Sequence, residues 1–259
     1  MAVAALVAAR AKIVQMDVDE YQRMAEASQH HWWYQATRKL LDEFAGPHLP
    51  PVTADTMYLD AGGGTGATGT WLAGRATTVI DDYEAFALAV AARGTPSYVP
   101  VRADLNHIPH RSGSFDAVLC VTALYHQMNP DPQATVIELA RVLKPGGLLC
   151  LMEPGVKRLW RGHDVVTRAA RRFSLAEMSA MVSGAGLELV RATGAYSFLV
   201  PAAAALQLVE RGKANSDVGR NESGLGGTFG VLAKAERVWL RRRALPAGLS
   251  VLALGRKPA

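Results

Sequence analysis

Cysteine is nearly missing from this chain: there are two in 259 residues, Cys120 and Cys150, each inside an apolar run (Val118-Leu-Cys-Val121 and Leu148-Leu-Cys-Leu151). Both read as reduced core thiols, as expected for a cytoplasmic protein, and nothing beside either supports the alternatives of a disulfide or a reactive thiol. Long hydrophobic runs are missing too. No stretch approaches the roughly 20 apolar residues that a spanning helix needs, so no transmembrane segment is expected, and peripheral membrane contact stays open. Met1 to Arg10 lacks the basic start of a signal peptide and reads as an amphipathic helix. No internal repeat and no RNA- or DNA-binding motif is apparent, so no nucleic-acid partner is expected. His107 and His110 stand in a proline-bounded loop, read as solvent-facing, without the further ligands that a metal site needs.

Acidic residues are scarce in one half only. Residues 1–150 carry 11 Lys and Arg against 15 Asp and Glu, whereas residues 151–259 carry 17 against 8. The basic second half is either a solvated surface or a face for an anionic partner or substrate.

What is present is a strand-and-helix alternation with glycine at its first turn. Residues 1–45 read as helical and are interrupted at His30-His-Trp-Trp-Tyr34, an aromatic patch flanked by Arg38 that either covers a ligand or docks the N-terminal helices. After the Pro-rich joint Gly46-Pro-His-Leu-Pro-Pro51 come strands at Met57 to Leu59, Thr77 to Ile80, Ser97 to Val101, Phe115 to Thr122 and Leu148 to Met152. The spacing predicts a helix from Pro132 to Val142, ended by Leu143-Lys-Pro-Gly-Gly147. A capping-box pattern, Ser174-Leu-Ala-Glu177, opens a helix that runs to Gly184; a strand from Leu187 to Thr193 and a last strand from Leu249 to Leu254 follow. Between these two lie an apolar helical stretch, Phe198 to Glu210, and a polar segment, Asn215 to Gly227. This pattern is that of a doubly wound, mostly parallel α/β sheet.

In such sheets ligands sit beyond the C-terminal strand ends. Asp60, Asp81, Asp104, His126 and Glu153 all fall at such ends. Met57-Tyr-Leu-Asp-Ala-Gly-Gly-Gly-Thr-Gly-Ala-Thr-Gly69 supplies the strand, the acid and a loop whose glycines Gly62, Gly63, Gly64 and Gly66 let a ligand approach the backbone. Gly62-x-Gly64-x-x-Ala67 also fits the dinucleotide fingerprint, which keeps a nicotinamide oxidoreductase open. Asp60, two residues before the first glycine, would repel a pyrophosphate and welcome a cation. S-adenosylmethionine has an ammonium, a sulfonium and no phosphate. Its needs match Asp60 near the amino-acid end, Asp81 or Asp82 at the ribose hydroxyls and Asp104 at the adenine amino group.

From Leu59 to Gly147 the chain resembles class I S-adenosylmethionine-dependent methyltransferases, through Leu59-Asp-Ala-Gly-Gly-Gly-Thr-Gly66, the strand-two acid, Asp104-Leu105, Ser114-Phe-Asp116 and Arg141-Val-Leu-Lys-Pro-Gly-Gly147. His31-Trp-Trp-Tyr34 with Arg38, Leu159-Trp-Arg-Gly-His-Asp164, Arg171-Arg-Phe-Ser174 and Leu245-Pro-Ala-Gly-Leu-Ser250 resemble a bacterial branch of that family. The chain departs from the usual form at Ile80, where many members have glycine, and in the doubled Asp81-Asp82. The resemblance implies a seven-stranded sheet, with an N-terminal helical lid at 1–50, a cofactor-binding core at 51–195, a helical cap at 196–244 and a final core strand at 245–259. It also implies that Leu105 and Thr122 join the cofactor contacts, that Trp33 and Tyr34 close over them, and that Arg38 approaches the cofactor carboxylate. A base is drawn from His126 or from His163 with Asp164. The acceptor is a small molecule, a lipid-linked sugar or secondary metabolite, methylated on oxygen, nitrogen or carbon. A catalytically silent cofactor-binding partner remains the third class.

Overall fold

A computed structural model describes residues 18–210 and 226–259. The proposed amphipathic start and most of the polar segment 215–227 lie outside these. Helices α1 (Val18–His30) and α2 (Trp32–Ala45) break at His31, whose Nδ1 accepts the Trp33 amide at 3.3 Å and caps α2. The order then runs β1 (Met57–Ala61), α3 (Thr70–Ala73), β2 (Thr77–Asp82), α4 (Ala85–Gly94), β3 (Tyr98–Arg102), β4 (Phe115–Val121), α5 (Pro132–Val142) and β5 (Leu143–Pro154). It continues with α6 (Gly162–Val166), α7 (Leu175–Gly184), β6 (Glu188–Ala195), α8 (Val200–Glu210), α9 (Gly226–Leu240) and β7 (Ser250–Arg256).

The sheet has seven strands in the order β3-β2-β1-β4-β5-β7-β6, parallel except that β7 runs antiparallel to both β5 and β6. Strand order reverses between β1 and β4, and a crevice opens beyond their C-terminal ends. Period-two alternation sorts the core. Leu59, Val118, Cys120, Leu149 and Leu151 pack on one face with α5 and α7, while Tyr58, Leu119, Cys150, Leu252 and Leu254 pack on the other with α2 and α9. The two cysteines are buried, free and on opposite faces. Leu41 of α2 is fully buried, and truncating it to alanine should cost about 2–5 kcal/mol.

Helix ends follow the sequence signals. Asp131 Oδ1 accepts the Ala134 amide at 3.1 Å ahead of Pro132, and Lys257 Nζ caps the far end of α5 by donating to the Ala140 and Leu143 carbonyls at 2.8 Å. Ser174 and Glu177 form the expected capping box. One difference concerns Leu143 to Gly147, which does not separate helix from strand. Leu143 already pairs with Phe115, the register then shifts at a bulge containing Gly146 (φ +76°), and pairing resumes at Leu148 with Ala117. Among the described residues no helix is long and apolar enough to cross a membrane.

Candidate active site

Beyond the C-terminal ends of β1, β2 and β4 lies a cavity of about 770 Å³. Its wall takes Gly62, Gly63, Gly64, Asp82, Asp104, Leu105 and Thr122 from the sheet's strand ends and loops, and Trp32, Trp33, Tyr34, His126, His163, Arg168, Leu206 and Phe229 from the N-terminal helices and the later segments. The glycine part is built by the turn out of β1. The Gly63 amide donates to the Asp81 carbonyl at 3.0 Å and the Gly66 amide to the Gly63 carbonyl at 2.9 Å. Gly64 (φ +55°) turns its open side to the cavity, where an added Cβ would meet nothing closer than Tyr21 at 3.8 Å. Gly66 has another reason: a Cβ there would lie 2.6 Å from the Tyr98 ring, so it yields to the protein and does not reach the cavity wall.

The acids that the sequence placed at strand ends separate into two groups. Asp82 lines the cavity; its Oδ2 accepts the Gly64 amide at 2.9 Å and its Oδ1 the Glu84 amide at 2.8 Å. Burial raises its pKa and those two amides hold it back. Asp104 also lines the cavity and accepts both the backbone and side-chain nitrogens of Asn106. The other three face protein. Asp81 is 1% exposed and turned to His110, whose Nε2 lies 2.9–3.0 Å from both carboxylate oxygens, so His110 is not the solvent-facing residue expected. Asp60 lies beneath the loop, accepting the Tyr98 hydroxyl at 2.9 Å, and burial lifts its pKa to about 7. Glu153 Oε1 accepts the Ala123 and Leu124 amides, bracing the chain after β4, and burial lifts its pKa to about 8. Neighbours in a strand point to opposite faces, which is why Asp82 faces the cavity and Asp81 does not.

His126 has one ring nitrogen bonded to the Thr167 backbone, and burial lowers its pKa to about 4. His163 enters the wall from α6. Its neighbour Asp164 does not act as its orienting partner. Asp164 accepts Arg172 Nε at 2.9 Å and Nη2 at 2.8 Å, and the Arg161 amide at 2.8 Å, a buried pair that fixes α6 to the segment before α7. Trp33 and Tyr34 reach the wall and pack edge to face at 5.0 Å. Arg38 does not reach it. It donates to the Ser28 and Ala67 carbonyls at 3.0 and 2.9 Å, tying α1 and the glycine loop to α2.

Sequence reasoning missed Tyr21, Tyr98, Arg168 and Phe229. Tyr21 and Phe229 sit in helical stretches with no local motif, and Tyr98 acts through Asp60 from 38 residues away. Arg168 lines the cavity with a left-handed backbone (φ +53°), as does Thr122 (φ +49°) at the end of β4. Non-glycine residues in that region cost of order 1–3 kcal/mol and cluster at functional sites.

The donor set fits a nucleoside without phosphates: a carboxylate on the wall beside glycines that leave the backbone uncovered, a second carboxylate beside Leu105, and aromatic rings in the same wall. Residues 59–151 match the family described as a methyltransferase domain. The chain is 30% identical over 200 residues to a malonyl-[acyl-carrier protein] O-methyltransferase of Enterobacter lignolyticus, covering 74% of this chain and 73% of that one. It is 29% identical over 160 residues to the methyltransferase GfsG of Streptomyces halstedii, covering 55% of this chain and 56% of that one. The chain thus spans little more than half the length of the latter relative. In fold it resembles a chain from the complex of the Haloferax volcanii Trm112 methyltransferase activator with a methyltransferase, with a TM-score of 0.60, 20% identity, and coverage of 93% of this chain and 96% of that one. Two further structures of this fold hold S-adenosylmethionine or S-adenosylhomocysteine. These matches set aside the nicotinamide reading, and S-adenosylmethionine is the cofactor. The chain belongs to the class I S-adenosylmethionine-dependent methyltransferases.

Proposed function

We propose that this enzyme methylates a hydroxyl of an amphiphilic small molecule that has an anionic group and an apolar body. The observation behind this reading is the composition of the cavity wall beyond the glycine loop and its acids. Arg168 and Arg161 lie on it beside His126 and His163, and Trp32, Leu199, Leu206 and Phe229 supply the apolar remainder. The Enterobacter relative is named for a malonyl acceptor, an anion, which is the same charge class.

In this reading Gly62 to Gly64, Asp82, Asp104 and Leu105 hold the cofactor, with Asp82 taking the ribose hydroxyls. The cofactor supplies an electrophilic methyl on a sulfonium. The protein's share is to align the acceptor behind that methyl, exclude water and take one proton. His163 is the proposed proton acceptor. His126, bound to Thr167 and lowered to about 4 by burial, is neutral at pH 7 but weakly basic, so it positions the acceptor. Helices α1 and α2 serve as the lid that brings Trp33 and Tyr34 over the cavity, and helices α8 and α9 as the cap.

The test is transfer of a radiolabelled methyl into extracts, followed by partition and charge analysis of the product. Label in an apolar-extractable anion supports the reading. Label confined to water-soluble cationic or neutral products overturns it.

A further inference from the structure

Helix α9 has two faces of different character. Inward, Phe229 packs on Trp32 at 5.4 Å, Ala233 and Leu240 are buried, and Glu236 accepts the Tyr196 and Ser197 amides. Outward, Val231 is 67% exposed, Val238 54% and Trp239 58%, with Leu232 exposed beside them. At 100° per residue these four fall within one stripe about 120° wide, opposite the buried face. Single exposed apolar residues need no explanation; a continuous stripe with a tryptophan does.

The charge around the stripe is of one sign. Lys234 and the run Arg241-Arg242-Arg243 are exposed, and the one acid of the helix, Glu236, is turned inward. Arg237 and Arg241 are engaged by Glu43 of α2 at 3.4 and 3.2 Å, whereas Arg242 and Arg243 have no ion pair among the described residues. Two copies meeting through this face would bring arginines together. Leu206 of α8 is 44% exposed and also lines the cavity.

We propose that the outward face of α9 docks on an anionic lipid surface, with Val231, Val238 and Trp239 in the acyl boundary and Arg242 and Arg243 at the headgroups. Docked this way, the enzyme takes its amphiphilic acceptor directly from the lipid; this last step rests on the proposed reading of the cavity, whereas docking itself does not.

The experiment is co-sedimentation of the full chain with vesicles of equimolar phosphatidylcholine and phosphatidylglycerol, against vesicles of phosphatidylcholine alone, without acceptor. The expected result is binding to the anionic vesicles that weakens as salt rises. Replacing Arg242→Gln together with Arg243→Gln should lower the partition coefficient about 30-fold. Val238→Ser with Trp239→Ser should lower binding at unchanged affinity for S-adenosylmethionine, a readout that also reports correct folding. Should that variant unfold, Trp239→Phe serves: acyl-brominated lipid should quench wild-type fluorescence more than that of the variant. Equal binding to both vesicle types, unchanged binding in the arginine variant, or lipid-free self-association abolished by Trp239→Ser would overturn the proposal. A vesicle result leaves the methylation reading to its own test.

Discussion

Asp82 and Gly64 are joined by a 2.9 Å hydrogen bond from the Gly64 amide to Oδ2, so the second strand holds the first strand's loop open from the cavity side. Its neighbour Asp81 holds the opposite side of the same strand through His110. One position in a strand separates a wall residue from a buried bracing residue.

Stability of the free protein should depend on Asp60. Its pKa is raised from 3.8 to about 7 by burial, so the folded state keeps a proton that the unfolded state releases. Stability from this group therefore falls as pH rises from about 4 through 7, by roughly 4 kcal/mol in all. Urea unfolding of wild type and Asp60→Asn at pH 5 and pH 8 checks this: the variant should lose less stability between the two. His126 works in the other direction, since its lowered pKa makes the folded state bind fewer protons than the unfolded state between about pH 4 and 6.5. His126→Asn should lessen acid destabilisation in that window.

The two histidines should separate in kinetics. His163→Ala is expected to lower kcat by about 10²–10⁴ with little change in cofactor affinity, the range for loss of a general base. His126→Ala should act mainly on KM for the acceptor. Stopped assays over pH 6–9 distinguish them; a larger kcat loss in His126→Ala would reverse the assignment.

Asp164 should behave as half of a buried ion pair. Asp164→Ala leaves Arg172 uncompensated and should cost about 3–5 kcal/mol of stability, whereas Asp164→Ala with Arg172→Met should recover most of it. Denaturant midpoints measure both. Full stability in Asp164→Ala, with turnover lost, would return Asp164 to a direct role beside His163.

The sequence carried the backbone of this account further than its side chains. Alternating apolar runs and glycine or proline breaks located all seven strands, because burial on one face and turn chemistry are local properties. The glycine loop was legible for the same reason. What could not be read was direction across the sheet. Asp81-Asp82 offers two acids in adjacent positions, and only the register Asp81↔Val101 and Asp82↔Arg102, with the loop above, decides which one faces the cavity. Asp60 reads as a ligand group because it precedes the glycines, and the sequence gives no sign that one of its oxygens accepts the hydroxyl of Tyr98 on another strand. His163-Asp164 looked like a pair by adjacency, while the bidentate partner was Arg172, eight residues on. Arg38 was read by its charge, but its geometry is that of a tie between two carbonyls.

The central claim is that S-adenosylmethionine is held through Asp82 and not Asp81. Calorimetric titration of S-adenosylmethionine into wild type, Asp82→Ala and Asp81→Ala tests it directly. Loss of a charged acceptor for two hydroxyls, together with release of the Gly64 amide, should weaken binding in Asp82→Ala by about 100-fold or more. Asp81→Ala should lower thermal stability and weaken binding by less than about tenfold. Wild-type affinity in Asp82→Ala, with binding abolished in a folded Asp81→Ala, would contradict the account.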